Sequence, residues 1–137
     1  MFKYRVDTLI SREDIAIRVK ELANEINKDF EGEEVLFVGL LRGSVVFLAD
    51  LVREIEVEAT MDFMTVSSYG NSTESSRDVK IIKDLEEDIR GRNVIIVEDI
   101  VDTGFTLRKV EDIRMTREPK KLKIVTLLDK PERREVE

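Results

Sequence analysis

The 137-residue chain contains no histidine and no cysteine, and each absence excludes a class of chemistry. Without histidine, a general base working near neutral pH must be a carboxylate, a lysine or a tyrosine. Without cysteine there is neither a disulfide framework nor a thiolate metal centre, which suits a cytoplasmic protein. No apolar run approaches the length that spans a bilayer, and no signal-peptide-like apolar core is present, so no membrane association is expected. Basic charge is the scarcer sign: 23 Lys and Arg stand against 30 Asp and Glu, a net charge of -7. That balance argues against nonspecific nucleic-acid binding, which needs a basic surface. What remains is a chain with 42% hydrophobic residues, enough for one domain with a real core.

The stretch from Val94 to Thr106 organises the rest. Val94-Ile95-Ile96-Val97 is an unbroken β-branched run, the pattern of a strand buried on both faces. Glu98 and Asp99 follow at once, then Asp102, a Thr103-Gly104-Phe105-Thr106 turn, and a helical pattern marked by Leu107, Val110 and Ile113. Backbone N–H groups at such a turn can cradle a phosphate, because the first amides of a helix have no intrahelical partner. Carboxylates at the strand end would sit at the lip of an open α/β sheet, where ligands bind. The plainer reading is a helix cap at Asp102 or Thr103, with Glu98 and Asp99 as solvated turn acids.

Two further apolar strands are predicted, Val35–Leu41 and Leu122–Leu128. The first leads through Arg42-Gly43-Ser44 into a helix over Val45–Ile55, half of a βαβ unit, so the sheet is expected to be mostly parallel. Gly43 allows close approach of backbone to a ligand, and Arg42 can meet an anion. Before it, Ser11 and Asp14 form a capping-box variant for a packing helix carried by Ile15, Val19, Leu22, Ala23 and Ile26. The turn Glu31-Gly32-Glu33-Glu34 ends that helix. Met61–Ser67 and Val79–Leu85 read as a flexible two-stranded extension around residues 61–85, joined by a polar, serine-rich linker. Glu86-Glu87-Asp88 and Arg90-Gly91-Arg92-Asn93 read as an exposed charged turn without chemistry.

The run Val97-Glu98-Asp99-Ile100-Val101-Asp102-Thr103-Gly104-Phe105-Thr106 resembles the phosphoribosyl-diphosphate (PRPP) binding motif of the type I phosphoribosyltransferases. The resemblance is closest to the hypoxanthine and hypoxanthine-guanine group. Val38-Gly39-Leu40-Leu41-Arg42-Gly43-Ser44, Val66-Ser67-Ser68-Tyr69-Gly70 and Leu127-Leu128-Asp129-Lys130-Pro131-Glu132-Arg133-Arg134 match the same family in order and spacing. The resemblance implies the α/β phosphoribosyltransferase fold and a purine-salvage transfer from PRPP to hypoxanthine, and to guanine, giving IMP or GMP and diphosphate.

It also implies roles. Asp102 would be the catalytic carboxylate facing the purine N7, and Asp102, Thr103, Gly104, Phe105 and Thr106 the nest for the 5′-phosphate. Glu98 and Asp99 would hold the ribose hydroxyls and Mg²⁺. Arg42, where many relatives have lysine, would bind diphosphate with Gly43 and Arg134. Ser68 and Tyr69 would belong to a loop that closes over the site, and Lys130 would contact the purine. A cytoplasmic homo-oligomer, dimer or tetramer, is expected. Relatives continue beyond the position matching Glu137, so residues 1–137 are expected to form a single domain that is C-terminally incomplete relative to the family. A noncatalytic PRPP-sensing regulator on the same fold, including an RNA-binding one, is the alternative.

Overall fold

The computed structural model describes residues 10–41, 43–68, 79–85, 88–101 and 116–129; at 66–68, 79–83, 99–101 and 128–129 it describes the backbone alone. The first helix, α1 (Arg12–Asp29), starts where its cap dictates: the Asp14 N–H donates to Ser11 Oγ at 3.1 Å, and Glu13 and Asp14 lie in the first turn. Acids there complement the positive end of the helix dipole. Val19, Leu22, Ala23 and Ile26 form its buried stripe. After Phe30 the chain turns through Gly32, whose φ of 78° suits a residue without Cβ.

Among the described residues five strands follow: β1 (Glu34–Leu41), β2 (Glu58–Ser68), β3 (Val79–Lys83), β4 (Asn93–Val101) and β5 (Lys121–Asp129), with α2 (Val45–Arg53) between β1 and β2. They form one sheet in the order β3-β2-β1-β4-β5. β1 runs parallel to both β2 and β4, and β4 parallel to β5; among the described strands only β3, at the edge, is antiparallel. The three apolar runs thus form three neighbouring parallel strands, each slightly longer than its apolar stretch.

β1 and β4 are buried on both faces because side chains alternate across the pleat. Phe37, Val35, Ile95 and Val97 pack under the two helices with Phe47, Leu48 and Leu51. Leu36, Val38, Leu40, Val94 and Ile96 join Met64 and Ile89 on the other face. Burying each of these large side chains contributes about 1.5–3 kcal/mol, so the central strands carry much of the stability.

Three details differ from the sequence reading. Helix α2 stops at Arg53, because the N–H groups of Glu54 and Ile55 turn back to Leu51 and Val52 in a tighter final turn. The first strand of the expected extension starts earlier, at Glu58, and pairs with β1 from Glu34↔Glu58 to Leu41↔Thr65. It is a fourth parallel strand, and only its end, from Thr65 on and with a register shift at Thr65/Val66, pairs with β3. Its polar interruption, Asp62, is buried and accepts the Phe63 N–H at 2.8 Å.

The third difference is at the charged turn. Asp88, Arg90 and Gly91 are exposed, but Arg92 is half-buried and Asn93 buried. Arg92 bonds to Glu34 and Thr60, each at 3.1 Å, while Asn93 Nδ2 donates to the Glu33 carboxylate and the Glu34 carbonyl. The Arg92 carbonyl accepts the Lys120 N–H at 2.8 Å. The starts of β1, β2, β4 and β5 are therefore tied together at one end of the sheet.

Candidate active site

The opposite end carries the candidate site. From β1 the chain moves through α2 to β2 on one side; from β4 it moves to β5 on the other. The strand order reverses between β1 and β4, and a crevice at the carboxyl ends of such a pair is where open α/β sheets bind ligands. Pairing between these two strands ends at Gly39↔Val97, although β1 runs on to Leu41 and β4 to Val101. β4 stays paired to β5 as far as Val101↔Asp129. The strands part where Leu40-Leu41 leads to the Arg42-Gly43 loop and where Glu98-Asp99 begins.

Among the described residues, four of those named from the sequence lie at this end. Glu98 is half-buried and lies opposite Thr126 of β5. The Asp99 backbone continues β4, Gly43 lies exposed in the turn before α2, and the Ser68 backbone ends β2 opposite Val79. Arg42, Tyr69, Asp102, Thr103, Gly104, Phe105, Thr106, Lys130 and Arg134 lie outside the described residues, as does the side chain of Asp99.

Two residues quoted in the motif without a role prove central to the loop. Ser44, fully buried, donates its hydroxyl to the Leu40 carbonyl at 2.7 Å. Gly39 has no room for a side chain: a Cβ there would stand 2.9 Å from Leu48 Cδ2, 3.0 Å from Ser44 Oγ and 3.2 Å from Phe63 Cδ1. A lone glycine inside an apolar strand was the available signal, since it marks close approach of another element.

Two shifted titrations, among the described residues, lie away from this crevice. The Glu33 carboxyl is held below its ordinary value chiefly by the Asn93 hydrogen bond, with Lys120 helping and burial opposing. The Arg117 guanidinium is pushed up, chiefly by a two-pronged hydrogen bond to Asp84 at 2.8 and 2.5 Å. An open hollow of about 660 Å³ lies at the tied end of the sheet, but Glu31, Glu33, Glu56 and Glu58 line it against one lysine, Lys28. Four acids repel a phosphate, so the hollow does not compete with the crevice for an anionic ligand.

Among the described residues no three acids, histidines or cysteines cluster as a metal cage. Mg²⁺ does not require one, since it is held through one or two carboxylates plus substrate oxygens and water. Glu98 and Asp99, adjacent hard-oxygen donors at the strand end, fit that pattern.

Comparison with known proteins agrees with the geometry. A family model described as phosphoribosyl transferase domain matches residues 6–137. Hypoxanthine phosphoribosyltransferase of Salmonella typhimurium is 54% identical over 137 residues, covering 98% of this chain and 77% of that protein. Hypoxanthine-guanine phosphoribosyltransferase of Bacillus subtilis is 46% identical over 138 residues, covering 100% and 77%. A crystal structure of a hypoxanthine-guanine phosphoribosyltransferase from Bacillus anthracis, with HEPES in its active site, superposes with a TM-score of 0.89. It is 53% identical and covers 96% of this chain and 78% of that one. The chain belongs to the phosphoribosyltransferase family, among the hypoxanthine and hypoxanthine-guanine enzymes.

Proposed function

We propose that this chain transfers the phosphoribosyl group of PRPP to hypoxanthine, and to guanine as well, releasing diphosphate and forming IMP or GMP. The observation that carries the reading is the parting of β1 and β4 at the reversal of strand order, with a Gly-containing loop on one lip and two acids on the other. The regulator alternative has less support, because the relatives compared above are transferases by name.

Displacement of diphosphate from the ribose C1 passes through an oxocarbenium-like centre, and the assigned residues answer its needs. Arg42, Arg134 and the Gly43 backbone neutralise and hold the diphosphate. Glu98 and Asp99 hold the ribose hydroxyls, and their negative charge stabilises the cationic ring. Mg²⁺, held by the same two carboxylates, would supply charge neutralisation on the PRPP oxygens. Asp102 accepts the proton at the purine N7 as the base attacks. Amides of Asp102, Thr103, Gly104, Phe105 and Thr106 cradle the 5′-phosphate. Lys130 donates to the exocyclic oxygen at C6, which favours oxopurines over adenine. Ser68 and Tyr69 belong to the segment that closes over the bound substrates and excludes water from the reacting centre.

The test is a spectrophotometric assay of hypoxanthine, guanine, xanthine and adenine with PRPP, with and without Mg²⁺. Turnover of hypoxanthine and guanine, dependence on Mg²⁺ and no turnover of adenine are expected. Absence of turnover with every oxopurine overturns the reading.

A further inference from the structure

We propose that Ser44 is a positioning residue for the diphosphate loop, an inference that rests on the functional reading above. Ser44 stands at the N-cap of α2 yet makes no capping hydrogen bond with its side chain. A serine at that position ordinarily accepts from an amide of the first helical turn. Here the hydroxyl points the other way and donates to the carbonyl of Leu40, on the strand the loop has just left, at 2.7 Å. The Ser44 N–H reaches the same carbonyl at 3.3 Å, and the Ser44 carbonyl in turn accepts the Leu48 N–H at 2.8 Å. The Leu40 carbonyl thus receives two donors from one residue, and the turn from Leu40 to Ser44 is closed on itself.

The surroundings leave this hydroxyl little freedom. Ser44 is fully buried and Leu48 nearly so, and Gly39 supplies the space in which Ser44 Oγ sits. A buried neutral hydrogen bond in low dielectric with no water to replace it holds its geometry firmly. The closed turn fixes where Ser44 stands relative to the end of β1, and with it the point at which the chain passes from Gly43 into α2 beside the crevice. Loss of the hydroxyl would release that point while leaving the strand and helix packed. The effect would fall on diphosphate, which this loop meets, and not on the purine or the 5′-phosphate.

The experiment compares the wild-type chain with Ser44→Ala in both directions of the reaction: PRPP with hypoxanthine, and IMP with diphosphate. Urea unfolding of both proteins is measured alongside. The KM values for PRPP and for diphosphate are expected to rise together by roughly three- to tenfold, the effect of one neutral hydrogen bond. Those for hypoxanthine and IMP are expected to stay unchanged. If Ser44→Ala does not fold, Ser44→Cys fills nearly the same space with a weaker donor and carries the same comparison. A wild-type chain without activity overturns the functional reading. An active wild type whose variant keeps its PRPP and diphosphate constants, or raises all four alike, overturns the role of Ser44 alone.

Discussion

Alanine at Gly39 sets two opposing effects against each other, and the geometry decides between them. Gly39 lies inside β1 with an ordinary extended backbone, since its φ is not among the positive ones. On backbone entropy alone, alanine would be favoured there by about 0.5–1 kcal/mol. Packing opposes it. The new methyl would stand 2.9 Å from Leu48 Cδ2, 3.0 Å from Ser44 Oγ and 3.2 Å from Phe63 Cδ1, and Leu48 and Ser44 are buried at 1% and 0% exposure. Overpacking of a close-packed core costs typically about 1–3 kcal/mol. Pushing Ser44 Oγ off the Leu40 carbonyl adds about 1 kcal/mol. The net is a destabilisation of roughly 1–3 kcal/mol after the entropic gain is subtracted.

Urea unfolding followed by circular dichroism measures it. With an m-value of about 1–3 kcal/mol/M, the midpoint should fall by roughly 0.5–2 M with little change in slope. Gly32→Ala is the matched control. Its φ of 78° penalises a side chain, yet nothing lies within 4 Å of a Cβ there, so its cost is the left-handed backbone alone, about 1 kcal/mol. A midpoint for Gly39→Ala at or above that of the wild type would refute the close-packing argument.

Asn27→Ala removes a side chain that accepts the N–H groups of Glu56 and Val57 and donates to the Glu54 carbonyl, unpinning the α2–β2 connection from α1. A loss of about 1–3 kcal/mol is expected in thermal unfolding, and an unchanged midpoint would show that water replaces these bonds. Glu33 has a folded pKa below the ordinary 4.5, so it contributes stability above pH 4.5 that is lost as the pH falls through the folded value. Glu33→Gln should therefore lie furthest below the wild type near neutral pH and converge with it in acid; a gap that widens in acid contradicts the sign. Asp102→Asn should lower turnover about 10–1000-fold with a much smaller change in PRPP binding, and full activity would leave Asp102 as a helix cap.

The parts of the fold that were legible in the sequence are those where one physical signal dominates. Val35–Leu41 and Val94–Val97 are unbroken apolar runs, the pattern of doubly covered parallel strands, while Leu122–Leu128 is apolar but for Lys123 and Thr126 and lies half-buried beside β4. Ser11 and the 3–4 spacing from Ile15 to Ile26 fixed α1 for the same reason. The start of β2 was less legible because Thr60-Met61-Asp62-Phe63 mixes polar and apolar residues. Asp62 is accommodated by a local bond to the Phe63 N–H, a compensation that no pattern displays. Arg92 and Asn93 looked like turn residues because their partners, Glu33, Glu34 and Thr60, lie some 30 to 60 positions away in sequence. The candidate site was legible through its motif, but the roles of Gly39 and Ser44 appear only once α2 is folded back over β1.

The tied end of the sheet also bears on function, although no ligand is expected there. A slip of one residue between parallel strands would move every inward side chain to the other face. At the amino ends of the strands, Arg92 spans from β4 to Glu34 of β1 and Thr60 of β2, and Asn93 holds Glu33 and the Glu34 carbonyl. Lys120 joins from the β5 side, through its backbone to Arg92 and its side chain to Glu33. Exposed pairs of this kind contribute little energy one by one, but each is satisfied in only one register. With the starts fixed, strand length decides where the other ends fall: Gly39 opposite Val97, Glu98 one residue beyond, and the Leu40 carbonyl within reach of Ser44. Register set at one end thus delivers the loop of β1 and the acids of β4 to the same crevice at the other.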